Sequence, residues 1–354
     1  MRKALYISVL LIAASCQGIP AQREEKGTTV RITAIATPGT KSVPGETQIG
    51  SMAAWIYSSR AAYDQGLAAE SFAFSQGNSV TLDCTRGSKL AVVVTNLPQS
   101  QFNTSQPLAP ANLGYDLKSA RYSLESMMDN GFLMHGSLAF SSDQESADLP
   151  VVVTRAVCKV SLGSVRNSLQ EKGWAGKDVQ VEDLFLVNGV SGAFPDPFMA
   201  GAQPSVGDFF WCSAKYSPRS GPYPDFGQDE GPECAQAEVS GTISPGMSMS
   251  IDAALYCCPN PTEDDTQTLS GDLLVAAAWA PRHTRLVLQC SIDGHRCYYP
   301  VTLPALEENV WYKIEELVIK HFGTDSPDAP LSFTDVGITA HFGGWDGLSI
   351  NETL

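Results

Sequence analysis

Apolar residues recur at every second position in most of the patterned segments of the chain, the signature of half-buried strands. In Thr29 to Ala36 the residues Val30, Ile32, Ala34 and Ala36 share one face, which predicts a strand over Thr28 to Ala36 that breaks at Thr37-Pro38-Gly39-Thr40-Lys41. A second strand is expected over Ile49 to Ser58. Val80 to Cys84 alternates cleanly and Lys89 to Asn96 follows across Thr85-Arg86-Gly87-Ser88, a pattern that reads as a hairpin. Helical spacing occurs once, where Leu113, Leu117, Ala120, Leu124 and Met127 or Met128 fall at three- and four-residue steps between Pro110 and Gly131. Strands return at Phe132 to Phe140 and Val151 to Leu162. Between about 195 and 246 the pattern dissolves into a Gly/Pro/aromatic stretch that includes Asp208-Phe209-Phe210-Trp211-Cys212, read as a loop insertion. Strands resume at Met247 to Cys258, Leu273 to Trp279, Arg285 to Cys290, Cys297 to Leu303, Trp311 to Ile319 and Asp335 to Phe342. The expected fold is all-β, two antiparallel β-sandwich domains in tandem that meet near Thr154 to Leu162, with one short helix in the first.

Composition agrees with a turn-rich β protein: 17% charged and 9% aromatic residues, with 30 Gly and 22 Pro in 354 residues, leave little room for long helices. A net charge of -15 argues against nucleic acid as a partner, because no basic surface is at hand to neutralise phosphates. Before the first strand lies a different kind of segment. Arg2 and Lys3 precede a short apolar core, Ala4 to Ile12, and then Ala13-Ala14-Ser15-Cys16, the layout of a secretion signal over residues 1–15. A cysteine directly after small residues resembles the bacterial lipobox, in which the thiol is acylated and the cysteine becomes the new N-terminus. Ala13 and Ser15 also satisfy the ordinary signal-peptidase rule, which cuts the same bond without adding lipid. The polar run up to Gly27 would serve a lipidated domain as a spacer.

Beyond Cys16 there are eight cysteines, an even set suited to an oxidising compartment, whose full pairing the sequence does not determine. Cys257 and Cys258 are vicinal and on a strand point to opposite faces, so they are expected to have different partners or none. Cys84 and Cys158 lie in apolar strands and read as buried thiols. One pair follows from local geometry: a two-residue turn centred on Asp293-Gly294 puts Cys290 opposite Cys297, at a spacing that permits a cross-strand disulfide. Catalytic signatures are missing. There is no nucleophile elbow, zincin helix, Walker loop or dinucleotide fingerprint, and the five histidines are scattered. The acidic loop Glu263-Asp264-Asp265 lacks calcium-loop spacing. No cofactor or metal site is expected, and the chain is not read as an enzyme.

A set of short motifs gives the reading direction. Val151-Val152-Val153-Thr154-Arg155-Ala156-Val157-Cys158-Lys159-Val160 resembles the Arg-hydrophobic-Val-x-Lys-Val strand that joins the two domains of Bacteroidetes fimbrillins, the subunits of type V pili. Ile49 to Tyr57 and Val92-Val93-Val94-Thr95-Asn96 are similar to that family's first domain. Val179-Gln180-Val181 with Leu184 to Asn188, then Tyr298 to Val301, Asn309 to Tyr312, Gly323 to Pro327 and Trp345, match its second domain in order and spacing. The resemblance implies transthyretin-like β-sandwiches over residues 28–154 and 155–354, the second carrying the insertion at about 195–246. It also implies a lipoprotein acylated at Cys16 and exported to the outer membrane and a surface fimbrium. There a protease cuts after the first strand, at Lys41, and the C-terminal strand of a neighbour, Asp335 to Phe342 here, fills the vacated groove. Its partners would be other pilin subunits, the membrane through the lipid, and an adhesion ligand on a host or bacterial surface. A monomeric glycan-binding surface lipoprotein is the alternative; it needs an exposed aromatic platform, for which Phe209-Phe210-Trp211 is the candidate.

Overall fold

The computed structural model describes residues 27–37, 45–97, 99–102, 122–199, 211–212, 235–262, 282–329, 331, 336–344 and 349–352. The alternation of the first segment becomes β1 (Thr28–Ala36), with Val30, Ile32 and Ala34 inside and Thr29 and Arg31 exposed. It shares a seven-stranded sheet with β2 (Met52–Tyr57), β3 (Ser71–Ser75), β4 (Ser79–Cys84) and β5 (Ser88–Thr95). After the two-residue β6 (Tyr122–Ser123), β7 (Met134–Ser141) and β8 (Ser146–Arg155) complete it in the order β3-β2-β5-β7-β8-β1-β4. β8 joins the two halves of this sheet. From Ser146 to Val153 it runs parallel to β1, and at Thr154 and Arg155 it pairs instead with His135 and Met134 of β7. The sheet therefore turns over on itself, and Val30, Ile32 and Leu82 from one half pack with Ala54, Ile56 and Val93 from the other.

The chain then passes through Ala156 and Val157 into β9 (Cys158–Asn167). Next come β10 (Val179–Val187), β11 (Gly189–Val190), β12 (Gly192–Ala193), β13 (Trp211–Cys212), β14 (Gln236–Ala237), β15 (Gly241–Ile243) and β16 (Ser248–Cys257). The last strands are β17 (Arg285–Ile292), β18 (His295–Thr302), β19 (Val310–Ile319), β20 (Val336–Gly344) and β21 (Ser349–Glu352). One five-stranded sheet has the order β16-β9-β19-β20-β21. In the other, β10 is flanked by β17-β18 on one edge and by β14 and β15 on the opposite one. Val160, Leu162 and Ile314 of the first sheet share a core with Val181, Leu186 and Leu288 of the second.

The all-β expectation holds, with two short helices among the described residues instead of one: α1 (Arg60–Asp64) and α2 (Leu124–Asn130), capped by the hydroxyls of Ser59 and Ser123. The helix expected from Leu113 onward does not run through as one element, because Tyr122 and Ser123 are extended against Ala193 and Gly192; residues 113–120 lie outside the described residues. The hairpin expected between Val80–Cys84 and Lys89–Asn96 does not form. β4 pairs with β1, β5 pairs with β2 and β7, and the chain crosses between halves at Thr85 to Gly87. The sheets are also not wholly antiparallel, since β1 runs parallel to β8 and β9 parallel to β19. The strand expected over Val151 to Leu162 is two strands, ending one sheet and starting the next. The one expected over Leu273 to Trp279 lies outside the described residues.

Candidate functional site

The first strand sits in a groove with two hydrogen-bonding walls. β4 flanks it from Thr28↔Cys84 to Thr33↔Ser79, and β8 from Thr29↔Ser146 to Ala36↔Val153. Both of its ends are pinned by polar groups. The Thr28 hydroxyl, fully buried, lies 2.7 Å from the Ser142 carbonyl and 2.8 Å from that of Gln144. At the other end the Thr37 N–H and hydroxyl both donate to the Val153 carbonyl, at 3.0 and 2.9 Å. Without β1, the walls would present unpaired backbone groups over an apolar floor that includes Ala54, Ile56 and Val93.

Residues 38–44, which contain Lys41, lie outside the described residues, but both stems of that segment are held by one buried cluster. The Arg155 guanidinium, wholly inaccessible to solvent, donates from Nη2 to the Thr37 carbonyl (3.1 Å) and from Nε to the Glu46 carbonyl (2.8 Å). Its Nη1 reaches Asn309 Oδ1 at 2.7 Å. The Glu46 carboxylate turns inward and accepts from Lys159 Nζ (2.8 Å) and the Tyr256 hydroxyl (2.7 Å). Lys159 Nζ also stands 4.8 Å from the centre of the Trp311 ring, and Trp311 Nε1 donates to Ser161 Oγ at 2.8 Å. A buried charge is tolerated only when paired, so this cluster binds the two stems to each other and to β9, β16 and the turn before β19. Close by, buried His135 of β7 contacts Glu308 at 2.9 Å.

The cluster gathers residues from motifs far apart in sequence. Arg155 and Lys159 come from the Arg-x-Val-x-Lys-Val stretch, and Asn309 and Trp311 from the Asn-Val-Trp-Tyr stretch. Asn309 itself adopts φ +57°, as Asn96 and Asn188 at the ends of β5 and β10 adopt +62° and +54°. Asparagine tolerates this left-handed conformation better than most residues. The Asn96 amide accepts from the Gly50 N–H and donates to the carbonyls of Gln48 and Phe132. Glu46 and Tyr256 carried no signal in the sequence beyond an acidic residue after Pro-Gly and one aromatic among many.

The other predicted positions are scattered. Cys16 and the aromatic run at Phe209 and Phe210 lie outside the described residues. Cys290 and Cys297 face each other across the β17–β18 hairpin, whose turn residues Asp293 and Gly294 have φ +53° and +83° as a tight two-residue turn demands. Both are buried thiols, and burial pushes each up from its ordinary pKa. Towards the end of the chain, β20 pairs with β19 from Ile319↔Val336 to Val310↔Gly344, and β21 caps β20 over four residues. Among the described residues no group of three His, Cys, Asp or Glu is placed to hold a metal ion, and no helix is long and apolar enough to cross a membrane.

No protein-family model matches the sequence, and no curated protein is recognisably similar to it. Solved structures are similar in fold along nearly the whole chain. A protein of Parabacteroides distasonis assigned to cell adhesion superposes with a TM-score of 0.56 at 14% identity, over 92% of this chain and 98% of the other. One of the same assignment from Bacteroides eggerthii gives 0.58 at 13% identity, over 90% and 96%. The fimbrilin of Porphyromonas gingivalis W83 gives 0.55 at 15% identity, over 90% and 98%. This chain has the fimbrilin fold. At such identities the likeness establishes architecture, and the neighbours carry adhesion and fimbrial assignments, none of them enzymatic.

Proposed function

We propose that the protein is a structural subunit of a bacterial surface fimbria, built as two β-sandwich domains over residues 28–154 and 155–354 and assembled by strand exchange. One observation carries the reading. β1 is a nine-residue strand lying between two walls, and both stems of the segment that follows it, 38–44, are clamped by Arg155. A cut at Lys41 would free β1 from its onward connection while Glu46 stays moored to Lys159 and Tyr256. Its parallel pairing with β8 is slightly weaker per residue than an antiparallel one, which favours replacement. An incoming strand restores both ladders and the side-chain contacts, a form of strand addition. β20 of a neighbouring subunit is the proposed donor. Acylation of Cys16 would place the subunit at the outer membrane before assembly, and a Cys290–Cys297 bridge would close the β17–β18 hairpin. Adhesion belongs to the assembled fibre.

The test uses the mature chain. Limited trypsin cleavage is expected to cut at Lys41 and yield denaturation-resistant ladders, which Lys41→Ala and deletion of residues 335–354 should each abolish. Cut wild-type protein that stays monomeric would remove the fibre reading and favour a monomeric receptor. Ladders formed by the deletion variant would show that the donor lies elsewhere.

A further inference from the structure

Two cysteines that local turn geometry does not bring together meet in the core of the second half. Cys158 begins β9 and Cys257 ends β16, and the antiparallel register sets them directly opposite each other. Both are inaccessible to solvent and belong to the same apolar cluster, and their Sγ atoms are 3.2 Å apart. Strand alternation sends the vicinal Cys258 the other way, into the cluster that holds Tyr57, Tyr63 and Val190. Cys158 therefore faces Cys257 and not its neighbour. A disulfide needs sulfurs at about 2.05 Å and Cα atoms roughly 4.4–6.8 Å apart. Directly opposite residues of an antiparallel pair stand about 4.5–5.5 Å apart, so side-chain rotation closes the remaining gap without moving the backbone.

We propose that Cys158 and Cys257 form a cross-strand disulfide when the chain folds in an oxidising compartment. The oxidant is an external disulfide, of the small-molecule or thioredoxin-fold class. One thiolate attacks it to give a mixed disulfide and release one external thiol. The second thiolate then displaces the other external sulfur, so two protons and two electrons leave the pair and the external disulfide becomes two thiols. Because both sulfurs are buried once β16 lies against β9, the reaction belongs to folding and not to the finished subunit. The bridge spans residues 99 apart in sequence. It also sits one register step from Lys159↔Tyr256, the two donors to the Glu46 carboxylate, so it fixes the platform on which the loop stem rests. Nothing in this depends on fibre assembly.

The mature chain is refolded with oxidised glutathione, alkylated in denaturant without reductant, digested and mapped by mass spectrometry. Expected is a peptide pair joining Cys158 to the Cys257-Cys258 segment, lost on reduction. The link should survive Cys258→Ser, vanish in Cys257→Ser, and lower the urea midpoint of the oxidised protein when it is removed by Cys158→Ser. A Cys158 that is alkylated throughout, or a link that persists in Cys257→Ser and disappears in Cys258→Ser, overturns the proposal. Refolding and mapping Cys257→Ser and Cys258→Ser side by side keeps the assignment decidable even if one variant folds poorly.

Discussion

Glu46 and Lys159 are each 3% exposed, and at that depth the balance of charges matters more than any one hydrogen bond. Glu46 accepts from Lys159 and Tyr256 through its side chain while its own carbonyl accepts from Arg155, so a single residue joins the stem after residue 44 to three elements. Replacing one member of a buried pair leaves the other charge without its partner, at a cost of about 3–5 kcal/mol, whereas replacing both with apolar or neutral groups is often nearly neutral. Glu46→Gln and Lys159→Met are therefore each expected to lower the unfolding free energy by about 3 kcal/mol, and the double variant by clearly less than the sum. Urea titrations of the four proteins read the coupling directly; strict additivity would mean that the two side chains do not act as a pair.

Among the described elements, β8 links two halves of a sheet, since it leaves β1 and joins β7 within ten residues. The crossing depends on Gly136 of β7, where a Cβ would stand 2.2 Å from the Val152 carbonyl oxygen and 3.1 Å from its carbon. That contact is with backbone, which cannot rotate away. Gly136→Ala should destabilise by about 1–3 kcal/mol through overpacking, read as a lowered thermal midpoint, and an unchanged midpoint would mean that the crossing can widen. Local signals made some of this fold legible in advance. The β17–β18 hairpin follows from Asp293-Gly294 alone, and β1 from four alternating residues, because each is settled within a dozen positions. The β4–β5 misreading has the opposite cause: two adjacent alternating strands look like a hairpin until a third strand, β1, some fifty residues upstream, takes one of them. Glu46 was illegible for the same reason. Its partners lie more than a hundred residues away, and a lone acidic residue in a turn ordinarily faces water.

Across the whole molecule the two halves repeat one arrangement. β1 lies between antiparallel β4 and parallel β8, and β9 lies between antiparallel β16 and parallel β19. β9 carries Lys159, while β1 is joined to every later strand through residues 38–44. Cutting that segment removes a covalent link and leaves in place the contacts described for the strand itself. Val30 and Ile32 remain fully buried, each worth about 1.5–3 kcal/mol, and both ladders, the Thr28 hydroxyl bonds and the Arg155 bond to the Thr37 carbonyl persist. A cut subunit should thus retain β1 until another strand competes for the same walls, so that exchange proceeds residue by residue and never through an empty groove. Native mass spectrometry of the variant lacking residues 335–354, after cleavage at Lys41, is expected to find the β1 fragment still bound, and to find it displaced once excess synthetic peptide spanning Val336–Gly344 is added. Arg155→Met should speed that displacement, since the stem then loses its tie to the second half. Spontaneous loss of the fragment from cut protein, at a rate indifferent to added peptide, would mean that the groove opens first and is filled afterwards.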